Sequence, residues 1–371
     1  MKKKIIFFVT EDWYFVSHRL NLAIAALDAG YDVSVITRCQ AHAAQLVDAG
    51  ISVISFNTHR RSLNPVIILL EIIRLAIIYT RLQPTIVHHV ALRSIIIGGL
   101  AARLARVQNV VAAVTGMGFV YTDNTRRPIL RRAVSWLLSK ILKNELIIVQ
   151  NSDDQHLLKS LGLKDKCIRL IPGAGVDTNK FTPPLRKSKD ERPVVMYASR
   201  FLWDKGIGEF VSAAIALKAT NALFVLVGEP DPANPASVTQ EQVTKWLNLG
   251  AIVDWGHCED MPEILARADI VCLPSYREGL PKVLLEAMAC ARPCITTDVP
   301  GCREVVKHND NGLLVEAKNS TQLADAISTL LSDASMREQM GIRGRARVFA
   351  EFDEKLIIGS TISIYNEMVS P

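Results

Sequence analysis

The chain has 371 residues, 49% of them hydrophobic, with a net charge of +6 and a pI near 8.9. That length exceeds one typical core and predicts two domains of ordinary size. The 43 Lys and Arg are dispersed along the chain, which argues against nucleic acid as a partner.

The opening MKKKIIFFVT runs straight into Glu11 and Asp12, an apolar stretch too short for an export signal. The seven cysteines include no C-x-x-C pair, so a cytoplasmic protein with reduced thiols is expected. Cys290, Cys294, Cys302 and His308 lack the close paired spacing of a zinc site, and no metal or cofactor is expected. Short Val- and Ile-rich runs at 5–10, 32–37, 52–56, 85–90, 109–115 and 145–150 alternate with helical stretches. That alternation predicts a parallel sheet covered on both faces. Residues 66–80, VIILLEIIRLAIIYT, are the strongest candidate for a membrane span. As a helix the segment reaches only about 22 Å against a hydrocarbon core of roughly 30 Å. Glu71 and Arg74 also interrupt it, so a buried core helix is expected.

In TRRPILRRAVSWLLSKILK, residues 125–143, Leu130, Ala133, Val134, Leu137 and Ile141 share one helical face. Ile129, Arg132, Trp136, Lys140 and Lys143 form a second stripe. Basic residues around a Trp suit an anionic membrane surface; the plain alternative is a solvated basic face. The polar stretch TPPLRKSKDERP at 182–193 reads as a linker. Strand signals restart after it at 194–199, 222–228, 251–256, 269–275, 293–298 and 312–316.

The expected fold class is therefore α/β, with two doubly wound Rossmann-like domains at 1–180 and 181–353. A closing helix at 354–371 is long enough to cross back to the first domain. Ligands of open parallel sheets gather at the carboxyl ends of strands, so two such domains would face each other across a cleft. Site candidates are then Thr10–Arg19, His88–Arg93, Thr115–Tyr121, Arg200–Lys205, Gly228 and Glu229, Gly256 and His257, Ser275–Glu278 and Asp298–Arg303. His88 and His89 cannot both face a cleft, because neighbours on a strand alternate sides.

Two segments of the second domain carry the chemistry. ASRFLWDKG, residues 198–206, puts Arg200 and Lys205 in the loop after a strand. Two cations there suit a diphosphate, Arg by bidentate contacts and Lys as a point charge; the bland reading is a solvated loop. SYREGLPKVLLEAMA, residues 275–289, places Pro281 at a helix start where the backbone N–H groups around Gly279–Val283 attract anions. Glu286 lies well inside the apolar run, among Val283, Leu284, Leu285, Ala287 and Met288. A carboxylate so placed needs a partner, either a nearby backbone or basic group or a ligand. Two anion sites in one domain fit a nucleotide diphosphate.

These residues resemble the signature of the family 4 retaining glycosyltransferases, of GT-B fold: Arg200, then Lys205 before Gly206, then Glu278 and Glu286 with seven residues between. The string SYREGLPKVLLEAMACARPCITTDVPGCREVV, from residue 275, resembles the family along its whole length. The resemblance implies a metal-independent enzyme in which Arg200 and Lys205 hold the donor diphosphate and Glu286 the ribose hydroxyls. Glu278 would hold the donor sugar, Leu280 and Pro281 would lie against the phosphates with Gly279, and His257 near the base. Gly228 and Glu229, at a strand end of the same domain, are placed on the donor side.

In the first domain, TEDWYFVSHR lacks the paired glycines often found in this family, and VTGMGF stands where others have a histidine. Both features resemble the bacterial subgroup adding hexoses or hexosamines to undecaprenyl-diphosphate-linked sugars. That likeness implies an acceptor side formed by His18, Arg19, Thr115, Gly116 and Gly118, with His18 and Arg19 beginning a helix toward its phosphates. Gly116 and Gly118 also suit a plain turn. A lipid-linked acceptor puts Arg132, Trp136, Lys140 and Lys143 on an anionic membrane, at the inner face of the cytoplasmic membrane.

The expected activity is transfer of a hexose or N-acetylhexosamine from a nucleotide diphosphate sugar, UDP-linked, in surface polysaccharide assembly such as that of O-antigen. Two enzyme alternatives are an epimerase of the same fold, which would release free nucleotide without an acceptor, and a transferase with a soluble acceptor. A nicotinamide oxidoreductase would need a G-x-G-x-x-G after a first strand, which neither domain has. A non-catalytic scaffold would have no use for Arg200, Lys205, Glu278 and Glu286 together.

Overall fold

The Val- and Ile-rich runs form strands wherever their alternation predicts them, and each half of the chain closes into a parallel sheet. The structure, a computed structural model, describes residues 2–58, 64–117, 128–183 and 192–370, and of 128–130 the backbone alone. Gly118 and most of the expected linker, 184–191, lie outside the described residues.

The chain divides into two compact units, Met1–Ala174 with Leu356–Pro371, and Gly175–Lys355. The division thus falls at Gly175 rather than at 180. Val176 N–H donates to the Phe352 carbonyl at 3.0 Å and Glu354 N–H to the Val176 carbonyl at 3.1 Å. Val176 and Phe181 are buried in the core of the second unit.

The first unit runs β1 (Lys4–Glu11), α1 (Asp12–Asp28), β2 (Asp32–Arg38), α2 (Ala43–Asp48), β3 (Ser52–Ser55), α3 (Pro65–Leu82), β4 (Ile86–Val90), α4 (Leu92–Leu104), β5 (Asn109–Val114), α5 (Pro128–Ile141), β6 (Leu146–Val149), α6 (Ser152–Ser160) and β7 (Ile168–Leu170). Its sheet order is β3-β2-β1-β4-β5-β6-β7. The three-residue β7 was invisible in the sequence, being too short to show a period.

Alternate residues of β1 serve opposite faces. Ile5, Phe7 and Val9 pack with α1, and Ile6 and Phe8 pack with α3 and α4. The same alternation separates the two histidines of β4, and neither reaches a site. His88 stacks on Phe7 and its Nδ1 lies 2.5 Å from the Tyr365 hydroxyl. His89 Nε2 lies 3.1 Å from the Tyr79 hydroxyl on the other face. Burial holds both imidazoles below their usual range, His89 at about 3, so both are neutral core residues.

The reading of α3 as a buried core helix is corrected by the structure. Ile72, Leu75, Ala76 and Tyr79 are buried, whereas Val66, Leu69, Leu70, Ile73 and Ile77 are exposed.

Glu145, just before β6, is buried with one carboxyl oxygen lacking a hydrogen-bond partner. Burial raises its pKa to about 8, against the pull of Arg103. The unfolded carboxyl ionises near 4.5, so this group's full stability is present below that pH and is lost as pH rises toward 8. Glu145→Gln is expected to flatten the fall in Tm across that window. An unchanged slope would remove Glu145 from the pH response.

The second unit runs β8 (Val194–Ala198), α7 (Ile207–Ala216), β9 (Leu223–Val227), α8 (Gln240–Asn248), β10 (Val253–Asp254), α9 (Met261–Arg267), β11 (Ile270–Leu273), α10 (Lys282–Ala289), β12 (Cys294–Thr297), α11 (Cys302–Val305), β13 (Gly312–Val315), α12 (Ser320–Ser332) and α13 (Ala334–Arg347). Its sheet order is β10-β9-β8-β11-β12-β13. The last helix, α14 (Glu354–Val369), lies from Leu356 onward with the first unit, where Ile357, Ile364 and Tyr365 are buried.

Candidate functional site

In the second unit the strand order reverses between β8 and β11, the place where ligands of open parallel sheets bind. The loops leaving these two strands hold Arg200 and Lys205 on one side and Ser275–Pro281 on the other. Lys205 Nζ donates to Glu278 Oε1 at 2.5 Å, and Ser275 Oγ donates to the same oxygen at 2.7 Å. Both charged side chains are largely buried, which strengthens their attraction.

The backbone around this pair is tightly built. Gly206 has φ +74, and a Cβ there would meet the Pro274 carbonyl oxygen at 2.1 Å. Gly301, at φ +80, lies against the carbonyls of Glu278 and Gly279, where a Cβ would come within 2.6 Å of both oxygens. Glu278 N–H donates to Pro300 at 3.1 Å, and the Thr297 hydroxyl donates to the Ser275 carbonyl. Only glycine permits both close approaches.

Arg200 Nη1 donates to Asp231 Oδ2 at 2.7 Å. Asp231 Oδ1 accepts from Ala233 N–H at 3.1 Å, and its own N–H donates to Ser237 Oγ at 2.9 Å. The loop after β9 is itself stitched to the Arg200 loop, Phe201 N–H to Glu229 O and Val238 N–H to Phe201 O, each at 2.9 Å. Sequence reasoning missed Asp231, which lies 31 residues from Arg200 and carries no motif.

Glu286 is buried on α10, and Lys282, one turn earlier, supplies a partner, Nζ to Oε1 at 3.3 Å. Burial raises its pKa above the ordinary carboxylate value despite the pull of Lys282 and Lys180. The apolar run therefore contained a basic partner for its carboxylate, at the i, i+4 spacing. Pro281 precedes α10 as its N-cap, and no side chain caps that end. Leu280 is half-buried beside Gly279. Gly228 N–H donates to the Gly256 carbonyl at 2.8 Å, which brings the ends of β9 and β10 together. There His257 Nδ1 and Glu229 Oε1 are 3.9 Å apart and exposed. A hollow of about 640 Å³ is lined by Glu229, Asn234, Ser237 and Thr239 among others. The expected donor-side residues other than Glu286, which lies inside α10, thus fall in the loops that leave the strands of one sheet.

The chain is similar throughout its length to known proteins. Residues 180–347 match the family model described as Glycosyl transferases group 1, and residues 4–151 match Glycosyl transferase 4-like. The N,N'-diacetylbacillosaminyl-diphospho-undecaprenol alpha-1,3-N-acetylgalactosaminyltransferase of Campylobacter jejuni is 32% identical over 365 residues, 95% of each chain. This chain belongs to the group 1, family 4 glycosyltransferases.

The transferase is also 29% identical to the UDP-Gal:alpha-D-GlcNAc-diphosphoundecaprenol alpha-1,3-galactosyltransferase of Escherichia coli, over 67% of this chain and 66% of that one. Its fold is GT-B: a sucrose-phosphate synthase from Thermosynechococcus elongatus superposes with a TM-score of 0.84 at 22% identity, over 99% of both chains.

On the first unit of the transferase, two of the expected acceptor residues, His18 and Arg19, are placed differently from the sequence reading. His18 and Arg19 do not begin a helix: α1 starts at Asp12, whose carboxylate is bound by the N–H groups of Trp13, Gln40 and His42. His18 stacks on Tyr14, ring centroids 4.2 Å apart. Arg19 is buried, Nη1 facing the Gly173 carbonyl at 3.5 Å. Their backbone N–H groups are internal to the helix, so they form no helix-start anion site. Thr115 and Gly116 follow β5 at the carboxyl edge of the sheet, Gly116 with φ +127. On α5, Arg132, Trp136 and Lys140 are exposed, as is Lys143 just after it.

Proposed function

We propose that the transferase moves a hexose or N-acetylhexosamine from a UDP-sugar to a saccharide linked to a polyprenyl diphosphate, with retention of configuration. It would work on the inner face of the cytoplasmic membrane in the assembly of a surface glycan. The observation that carries the donor half is the Lys205–Glu278–Ser275 cluster, with Arg200 beside it, at the reversal point of the second sheet. The acceptor half rests on similarity to two transferases named for undecaprenyl-diphosphate-linked sugars.

In this reading Arg200 and Lys205 bind the diphosphate, Glu278 the sugar hydroxyls and Glu286 the ribose. The acceptor hydroxyl attacks the anomeric carbon on the face from which UDP departs. The bond from that carbon to the phosphate oxygen breaks, the bond to the acceptor oxygen forms, and the acceptor proton passes to the leaving phosphate. Charge growing on that phosphate is stabilised by Arg200 and Lys205, so their effect is largest in the transition state. On the first unit, exposed Arg132, Trp136, Lys140 and Lys143 would meet an anionic membrane surface.

The test supplies a panel of UDP-sugars, with undecaprenyl-diphosphate-linked saccharides in vesicles, in the presence of EDTA. Transfer to the lipid-linked saccharide, undiminished by EDTA, is expected. UDP release without acceptor would indicate the epimerase, and exclusive transfer to a water-soluble sugar would overturn the lipid acceptor.

A further inference from the structure

Helices α3, α4 and α5 form one layer on the first sheet, α4 packing against both of the others. The outer side of that layer carries the largest run of exposed apolar side chains on any described helix. Val66, Leu69, Leu70, Ile73 and Ile77 recur at spacings of three and four along α3 and are 43% to 62% exposed. Isolated exposed leucines are ordinary on protein surfaces, but five on one helical face are not.

The charge of the layer is one-sided too. Counting along the sequence, α3, α4 and α5 contain two, two and three Lys or Arg and a single carboxylate, Glu71. Glu71 is buried and paired with Arg93 at 2.9 Å. The face presented outward is therefore apolar and cationic with no compensating anion on these helices. It also includes Trp136 of α5, 64% exposed. No helix among the described residues is long and apolar enough to cross a membrane.

We propose that α3 lies flat in one leaflet of an anionic bilayer. Val66, Leu69, Leu70, Ile73 and Ile77 enter the acyl region, and Arg74, Arg81 and the basic side of α5 meet lipid phosphates. An apolar stripe bordered by cations is the composition of an interfacial helix, in which buried area and headgroup charge add. A second copy of this chain fits the face poorly, because a two-fold contact would oppose the same cations across it. The assignment rests on the proposed lipid-linked acceptor only for the biological reason to dock; the surface itself stands on exposure and charge.

The test is flotation with vesicles of phosphatidylcholine, with and without phosphatidylglycerol, at low salt and at about 0.5 M NaCl, where surface charge is screened. Wild type is compared with an α3 variant, Leu69→Gln, Leu70→Gln and Ile73→Gln, and an α5 variant, Arg132→Glu and Lys140→Glu. These positions are exposed, so unchanged Tm and UDP affinity are expected to show intact folding. The wild type floats with anionic vesicles, and a fraction survives high salt. The α3 variant loses that salt-resistant fraction by at least about tenfold. The α5 variant loses chiefly the salt-sensitive part.

An α3 variant that floats like wild type at both salts overturns the proposal. So does a wild type that is dimeric without lipid while the variant is monomeric, which would make the face a self-interface. Transfer to a lipid-linked saccharide, measured in parallel, separates the two ideas. If flotation depends on α3 but no lipid-linked sugar is accepted, the functional reading fails alone. If transfer occurs and flotation ignores α3, the docking assignment fails alone.

Discussion

Glu278→Ala is expected to lower sugar transfer by a factor of about 100 or more while UDP binds nearly as before, and Glu286→Ala to weaken UDP binding itself. The two carboxylates have seven residues between them and sit in different surroundings. Glu278 is fixed in a loop by Lys205 and Ser275 and by its own N–H to Pro300, within the cluster proposed to face the donor sugar. Removing a preorganised group of this kind typically costs a factor of about 100 to 1,000 in kcat. Glu286 is buried on a helix with Lys282 as its partner. If it also receives the ribose hydroxyls, its loss removes hydrogen bonds to a charged acceptor, roughly 1 to 3 kcal/mol, or about 5- to 150-fold in Kd for UDP. Calorimetric titration of UDP and single-turnover transfer separate the effects. Wild-type turnover in both variants would end the assignment, and a lower Tm with unchanged UDP affinity for Glu286→Ala would make that residue purely structural.

Lys205→Ala is expected to lower kcat by about 100-fold or more, because the lysine both neutralises the leaving phosphate and holds Glu278. The double variant with Glu278→Ala should lose little beyond the worse single variant, since the groups share one ion pair and act as a unit. Strictly additive losses would show that the two act separately. Arg200→Ala should also depress kcat, through a second route. Its guanidinium is tied to Asp231 on a different loop, but both cations are proposed to face one leaving phosphate, so the combined loss with Lys205→Ala is expected to depart from the sum of the two single losses. Full activity of both single variants would remove the diphosphate assignment.

Much of this protein was determined by local sequence. Strands rich in Val and Ile, alternating with helices, specify two parallel sheets because only β-branched runs buried on both faces read that way. The strand-end rule then led to Arg200, Lys205 and Ser275–Glu278, since these loops lie where the sheet order reverses. The motif itself carried the family. Other features were decided only by tertiary structure. Asp231 became Arg200's partner through the stitching of two distant loops. Arg19 turned inward because α1 starts at Asp12, anchored by N–H groups from beyond β2. The same limit applied to α3. Its residues are apolar on almost every side, so periodicity could not distinguish the face packed on the sheet from the face left outside. Packing against the sheet and α4 made that choice, covering Leu75 and Tyr79 and leaving Leu69, Leu70 and Ile73 exposed.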